Sequence, residues 1–168
     1  MIHVCSLARL HATVEETGAR RVVTLMRDVE LVRRPPTIEH ADHLRLRLDD
    51  ISEPLDGYTM PGEEHIAELL AFVRSWDRAA PMVMHCYAGV SRSTAGAFVS
   101  ACALNPRRPE TAIAQDIRRL SPTATPNIRI VTLADRMLGR GGRMVAAIHA
   151  IGAGIACYEG HPFRLDLA

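Results

Sequence analysis

A cysteine and an arginine separated by five residues are the pair in this sequence best suited to chemistry. Cys86 and Arg92 lie in the segment HCYAGVSRST, between a predicted strand and a predicted helix. Five residues wrapped into one turn bring successive backbone N–H groups towards a single point, which forms a nest for an anion. A guanidinium donates two parallel hydrogen bonds to phosphate oxygens, which an ammonium group does not do. The spacing therefore predicts a nucleophile beside an oxyanion cradle.

The amide groups of this turn are expected to serve both the thiol and an anionic substrate. The predicted phosphate-binding residues are Tyr87, Ala88, Gly89, Val90, Ser91 and Arg92. The same amides, together with the dipole of the following helix, would stabilise a thiolate at Cys86. From Arg78 to Pro109 the chain contains no aspartate or glutamate. A phosphate dianion would therefore meet no repulsion from the local sequence.

The segment resembles the phosphate loop of a known enzyme superfamily. HCYAGVSRST follows the HCxxGxxR[ST] pattern of the cysteine-dependent protein tyrosine phosphatases, and its GVSRS ending is similar to the dual-specificity branch. A bacterial member of that branch is the expected relative. The resemblance covers roughly residues 43 to 138. It implies hydrolysis of phosphate monoesters, above all protein phosphotyrosine, through a phosphocysteine intermediate.

The resemblance also implies a role for each matching residue. Cys86 would attack phosphorus, and Arg92 would bind the phosphoryl oxygens and stabilise their charge in the transition state. Ser93 would hydrogen-bond the sulfur and ease its departure during hydrolysis. His85 would support the loop without contacting substrate, and a core histidine with no catalytic effect is the alternative.

An aspartate well before the cysteine is expected to protonate the leaving group, because the superfamily carries its general acid there. Asp49, Asp50 and Asp56 all qualify. Asp50 is the first choice, since in the dual-specificity pattern this aspartate follows an alternating strand, here HLRLRLD. Extended pleating also directs Asp50 to the covered face of the sheet and Asp49 outward. Turn formation or helix capping is the structural alternative for these aspartates.

Two further segments are expected to support the site. Residues 54 to 62, rich in proline and glycine, would form a flap that carries or follows the acid. Asn127 follows a proline in a segment similar to one whose asparagine braces the phosphate loop in dual-specificity enzymes. An N-cap role for Asn127 is the alternative, and both roles are compatible.

Alternating strands and helices must position this turn. Apolar runs predict strands at 2–6, 21–26, 43–48 and 81–86, and helical spacing predicts helices beginning near residues 63, 93, 110 and 127. A last helix is predicted to carry Met144, Ile148, Ile151 and Ile155 on one face, and the tail after Gly160 is unassigned. This order predicts an α/β fold with a central, mostly parallel sheet of about four or five strands flanked by helices. The phosphatase phosphate loop lies at a strand-to-helix junction, beyond the carboxyl ends of the strands.

Composition narrows the choice of partners. The 168 residues, 48% of them apolar, suit a single phosphatase-like domain spanning 1–168. A net charge of +1 predicts neither nucleic acid nor a membrane surface as partner. Dispersed cysteines and the absence of a signal peptide pattern predict a cytoplasmic protein. No cofactor and no metal are expected, because the histidines lack the spacing of metal ligands.

The expected partner is a phosphorylated protein or a small phosphate ester, with the oligomeric state left open. A phosphate-binding pseudophosphatase is the alternative outside the enzymes, and the intact Cys86, Arg92 and Ser93 argue against it. A dual-specificity or phosphoinositide phosphatase is the alternative within them, although the loop lacks extra basic residues for a polyanionic headgroup. A sulfur-transfer or arsenate-reducing enzyme would need a resolving cysteine, which the cysteine spacing does not suggest. The preference between phosphotyrosine and phosphoserine stays open.

Overall fold

A five-stranded sheet forms the centre of the computed structural model, which describes residues 1–167. The strands are β1 (Ile2–Ser6), β2 (Arg21–Met26), β3 (His43–Arg47), β4 (Met82–Cys86) and β5 (Phe163–Leu165). Their order across the sheet is β3-β2-β4-β1-β5, and every neighbouring pair is parallel except β1 and β5. The predicted α/β fold with a mostly parallel sheet is therefore confirmed.

Helices cover both faces of this sheet. Those in the described part of the chain are α1 (Leu10–Thr17), α2 (Glu63–Arg74), α3 (Arg92–Leu104), α4 (Glu110–Leu120), α5 (Ile128–Met137) and α6 (Arg143–Ile151). Leu10 and Val14 of α1 belong to a smaller apolar cluster with residues of β2 and β4, whereas α2 to α6 contribute to the larger cluster. Crossover helices on both faces explain why all five residues of β4 are buried.

Helix α3 packs closely on the sheet, as its small residues predict. A Cβ added at Gly96 would be in ordinary van der Waals contact, 3.5 Å from Leu25 Cδ1 and 3.6 Å from Met84 Sδ. Ten of its thirteen residues, from Ser93 to Cys102, are buried. The first turn of α3 lies at the end of β4, where Ser93 Oγ is 3.1 Å from Cys86 Sγ.

The C-terminal part of the chain differs from the prediction. Helix α6 ends at Ile151, so Ile155 does not share its apolar face and is instead 69% exposed. Gly152 ends the helix because it adopts a φ of 64°, in the left-handed region that favours glycine. The unassigned tail contains β5, an edge strand antiparallel to β1. Three residues of alternating burial are too short a pattern to identify from sequence.

No helix within residues 1–167 combines the length and the apolar character needed to cross a bilayer.

A polar contact lies inside the sheet, where β2, β3 and β4 adjoin. The Thr24 hydroxyl lies 2.8 Å from His43 Nε2 and 2.7 Å from His85 Nε2. A hydroxyl has one proton, so it donates to one imidazole and accepts from the N–H of the other. Burial lowers the pKa of His43 to about 4 and that of His85 to about 3. Both imidazoles are therefore neutral in the folded protein at neutral pH.

We expect the free energy of unfolding to fall as the pH is lowered from 7.5 to 5.5. Histidine in an unfolded chain has a pKa of about 6.5, above both folded values, so the unfolded state takes up more protons. The stabilisation that comes from these two histidines is fully present above about pH 6.5, and it is lost as the pH falls towards their pKa values in the folded protein. The loss at pH 5.5 is on the order of 1 kcal/mol for each histidine. Urea unfolding followed by circular dichroism measures it.

The His43→Asn variant separates this effect from other titrations. It is expected to be less stable than wild type at pH 7.5, because Thr24 loses a partner, but to lose on the order of 1 kcal/mol less stability on acidification, the contribution of one histidine. Burial also lowers the pKa of His3, which adds a loss of the same sign in both proteins. An equal pH dependence in variant and wild type would contradict the assignment.

Candidate active site

A pocket of about 310 Å³ opens where the carboxyl ends of β2, β3 and β4 meet. Parallel strands bring the residues that follow them to the same edge of the sheet, which is the usual ligand position in open α/β sheets. The lining residues are Met26 at the end of β2 with Arg27 and Asp28 after it, Asp49, Asp50 and Ile51 after β3, Tyr87 and Arg92 after β4, and Tyr58 from the flap. Cys86, the last residue of β4, is buried beneath the loop that joins Tyr87 to Arg92.

The sulfur of Cys86 is surrounded by hydrogen-bond donors. The Gly89 N–H donates to Sγ at 3.3 Å, and the Ser93 hydroxyl oxygen lies 3.1 Å from Sγ. Helix α3 begins at Arg92, so its N-terminal end lies beside the sulfur. Donated hydrogen bonds and the positive end of a helix both stabilise negative charge placed beside them.

The other two buried cysteines have different surroundings. Burial raises the pKa of Cys5 to about 12 and likewise that of Cys102 to about 12. Both therefore stay protonated at neutral pH and act as small apolar side chains. Cys157 is exposed on the surface. Among the described residues, Cys86 is thus the cysteine whose environment suits a nucleophile.

The carbonyl groups of the loop are bound by backbone N–H groups from outside it. The pairs are Leu7 N with Tyr87 O at 3.1 Å, Gly160 N with Ala88 O at 2.9 Å, Thr125 N with Val90 O at 2.9 Å, and Asn127 N with Ser91 O at 3.3 Å. Each peptide group has its N–H opposite its carbonyl, so binding the carbonyls outward leaves the N–H groups for the interior of the turn. The predicted amide nest therefore has the required backbone support.

Gly89 fits the loop for two separate reasons. Its φ is 73°, in the region that L side chains rarely adopt. A Cβ at this position would also lie 2.8 Å from Cys5 C and 2.8 Å from Ser6 N. The loop thus passes directly over the end of β1, with no space for a side chain.

The guanidinium of Arg92 is oriented by the strand beside it. Its Nη1 donates to the Leu48 carbonyl oxygen at 3.2 Å, just after β3. Its Nε is buried and has no hydrogen-bond partner in residues 1–167. An unpaired buried donor is costly unless an anion completes it. Arg92 is therefore placed to receive an oxyanion at the mouth of the loop.

The carboxylate of Asp50 is held over the same loop. Its Oδ1 accepts from the Ser91 hydroxyl at 2.7 Å and from Asn127 Nδ2 at 2.8 Å, while Oδ2 lies 4.0 Å from Arg92 Nε. Asn127 also caps α5, since its Oδ1 accepts from Ile130 N. One asparagine therefore fixes the start of a helix and the position of a carboxylate at once.

The two other candidate aspartates have other surroundings. Asp49 is buried, its Oδ2 accepts from Thr59 N at 2.7 Å, and its own N–H donates to Thr59 O at 2.7 Å, so it anchors the flap. Asp56 is exposed and does not line the pocket. The expectation from pleating was wrong, because Asp49 points inward and Asp50 is exposed. Strand β3 ends at Arg47, and its alternation does not continue into the turn.

His85 lies beside the nucleophile but does not hydrogen-bond the loop through its side chain. Its Nε2 contacts Thr24, and its Nδ1 has no hydrogen-bond partner among residues 1–167. Its predicted supporting role stays a prediction. Within the same residues, no three histidine, cysteine, aspartate or glutamate side chains lie close enough to hold a metal ion together.

Sequence reasoning missed the wall formed by Arg27 and Tyr58. The guanidinium carbon of Arg27 lies 4.9 Å from the centre of the Tyr58 ring, and Arg27 Nη2 donates to Gly57 O at 2.6 Å. This contact ties the flap to the end of β2. Ligands bind beyond the carboxyl ends of parallel strands, so the position of Arg27 after β2 could have indicated it. Nothing in the sequence around Tyr58 indicated that its ring packs against Arg27.

Comparison with known proteins places this geometry in context. No protein-family model matches the sequence, and no curated protein matches it. The structure is similar to that of the Cydia pomonella PTP-2 phosphatase, with 19% identity, a TM-score of 0.63, and coverage of 80% of this chain and 84% of that one. The chain has the fold of the protein tyrosine and dual-specificity phosphatases.

Two human structures illustrate the range of proteins with this fold. DUSP28 is 17% identical, with a TM-score of 0.62 and coverage of 80% of this chain and 86% of that one. The tyrosine phosphatase-like serine/threonine/tyrosine-interacting protein is 15% identical, with a TM-score of 0.61 and coverage of 83% and 92%. Identities this low establish the fold, and the bacterial relationship stays a prediction.

We expect the Gly89→Ala variant to lose binding of tungstate, a tetrahedral oxyanion, by about a hundredfold or more, because the loop must shift away from β1. Isothermal titration calorimetry measures the affinity. Gly139→Ala is the matched control, since Gly139 has a similar φ of 64° but open space around it. Equal tungstate affinity in the two variants would show that close contact with β1 does not shape the anion site.

Proposed function

We propose that this protein hydrolyses phosphate monoesters, with protein phosphotyrosine as substrate, through a covalent phosphocysteine. The observation that carries the proposal is the sulfur of Cys86, which lies within hydrogen-bond distance of Gly89 N and Ser93 Oγ. Above it the loop carbonyls are bound outward, and Arg92 Nε is left without a hydrogen-bond partner among the described residues. A thiolate and an oxyanion cradle on one turn suit phosphoryl transfer to sulfur.

In the first step, the Cys86 thiolate attacks phosphorus on the side opposite the leaving oxygen. The loop amides and Arg92 bind the three non-bridging oxygens, whose charge they stabilise in the transition state. An S–P bond forms as the P–O bond to the leaving group breaks. Asp50 delivers a proton to the departing oxygen, which leaves as a phenol or alcohol.

In the second step, water attacks the phosphocysteine. The Asp50 carboxylate takes a proton from the water as the new P–O bond forms, and the S–P bond breaks. The Ser93 hydroxyl, 3.1 Å from the sulfur, donates to the departing thiolate. Inorganic phosphate leaves, and both Asp50 and Cys86 return to their starting states.

The pocket walls support an aromatic monoester over a polyanionic lipid headgroup. Tyr58 and Tyr87 are exposed and line the pocket, so either ring can pack against a phenyl group. The charged lining residues are the cations Arg27 and Arg92 and the carboxylates of Asp28, Asp49 and Asp50. One phosphate can be held by the loop and Arg92, but additional phosphates would meet the carboxylates.

We expect the wild-type protein to hydrolyse p-nitrophenyl phosphate without added metal, and Cys86→Ser to lower kcat by about a thousandfold or more. The serine variant should still bind tungstate, because the amides and Arg92 remain. Cys157→Ser is the control and should retain wild-type activity, since Cys157 is exposed and outside the site. Turnover by Cys86→Ser would refute the nucleophile. Tungstate binding without turnover in the wild type would favour a phosphate-binding pseudophosphatase.

We expect Asp50→Asn to lower kcat for aryl phosphates by about a hundredfold and to weaken the dependence of kcat on pH, because an amide cannot donate the acidic proton. Steady-state rates across a pH series test this. Asp56→Asn should keep the wild-type profile, whereas Asp49→Asn should act through the flap and raise KM. A flattened profile in Asp49→Asn or Asp56→Asn but not in Asp50→Asn would show that the acid is misassigned.

A further inference from the structure

The three tyrosines of the chain all lie exposed around the candidate active site. Tyr58 and Tyr87 line the active-site pocket. Tyr87 and Tyr158 line a second cavity of about 470 Å³, together with Leu7, Ala8 and Glu159. We name this second cavity the flank groove. The Tyr87 side chain, 69% exposed, lines both cavities, so the two adjoin at this residue.

The flank groove is fixed in position relative to the nucleophile. One wall follows β1, where Leu7 N donates to Tyr87 O at 3.1 Å. The other wall is the tail segment, where Gly160 N donates to Ala88 O at 2.9 Å. The Ser6 hydroxyl also donates to the Glu159 carboxylate. The groove and the phosphate loop therefore share their backbone hydrogen bonds, so a ligand in one is held at a set distance from the other.

The chemistry of the groove favours an apolar ligand. Leu7, Ala8 and the two tyrosine rings supply apolar surface, and exposed tyrosines are typical of protein-recognition sites. Glu159 is the one acidic or basic side chain among the lining residues. An acidic ligand group would be repelled by this carboxylate, and no lining cation offsets it.

We propose that the flank groove binds an apolar side chain close in sequence to the phosphorylated residue of a polypeptide substrate. The proposal rests on the proposed phosphatase function and extends it from phosphate esters in general to phosphorylated polypeptides. The phosphotyrosine ring occupies the pocket beside Tyr58 and Tyr87. The substrate chain then crosses Tyr87 and places a neighbouring side chain against Leu7 and Tyr158. A small phosphate ester would fill the pocket and leave the groove empty.

A set of phosphotyrosine peptides in an alanine background tests the proposal. Each peptide carries a single leucine or glutamate at one of the three positions on either side of the phosphotyrosine. Leucine at one or two of these positions is expected to raise kcat/KM about fivefold over alanine, and glutamate there to lower it. In Tyr158→Ala, the ratio of kcat/KM for the best leucine peptide to that for p-nitrophenyl phosphate should fall about fivefold.

The control variant is Leu31→Ala, because Leu31 is 81% exposed and lines neither cavity. It should leave kcat/KM unchanged for both the leucine peptide and p-nitrophenyl phosphate. If leucine, alanine and glutamate peptides are hydrolysed alike, or if Tyr158→Ala keeps the leucine preference, the groove assignment is wrong while the phosphatase function stands.

Failure of the phosphatase function gives a different result, because neither the peptides nor p-nitrophenyl phosphate would then be hydrolysed. The groove is tested in that case by fluorescence anisotropy of the same labelled peptides. Tighter binding of the leucine peptide than of the glutamate peptide, with the difference lost in Tyr158→Ala, would support the groove. Equal affinities would overturn it. Phosphoserine peptides with the same flanking residues test the active-site pocket separately from the flank groove. They carry the same leucine for the groove but lack the phenyl ring that the pocket would bind.

Discussion

The orientation of the peptide groups between Cys86 and Arg92 is the constraint on which the site depends. A turn that presents N–H groups inward must turn its carbonyls outward, and buried carbonyls need donors. Four backbone N–H groups supply them, from Leu7 after β1, from the tail at Gly160, and from Thr125 and Asn127 before α5. The shape of the loop is thus determined by segments outside it, and the sheet and helices bring these donors together.

Two opposite charges share the mouth of this loop without forming a close pair. Arg92 is held by a carbonyl at the end of β3, and Asp50 by the Ser91 hydroxyl and the Asn127 amide. Their closest nitrogen and oxygen atoms are 4.0 Å apart, which leaves the guanidinium able to bind another anion. Separate supports therefore keep the Asp50 carboxylate and the Arg92 guanidinium adjacent, where a direct bidentate ion pair would occupy both.

Local sequence patterns were enough to predict the parallel sheet, because each strand is a short apolar run. They were also enough to predict the strand-to-helix turn, because Cys86 and Arg92 lie within one short segment. Features that depend on distant contacts could not be predicted. β5 has only three residues, and the bond from Gly160 to Ala88 joins segments far apart in the chain. The environments of Asp49 and Asp50 likewise depend on Thr59 and Asn127, so strand alternation gave the wrong orientation for both.

The hydrogen bond from Gly160 to Ala88 has a consequence for biosynthesis. The ribosome adds the loop long before it adds Gly160, although a domain folds as a unit. A nascent chain that ends before this glycine leaves the Ala88 carbonyl without its donor, so the turn is incompletely shaped. An unfinished chain therefore holds Cys86 beneath a loop that lacks one of its four supporting backbone hydrogen bonds.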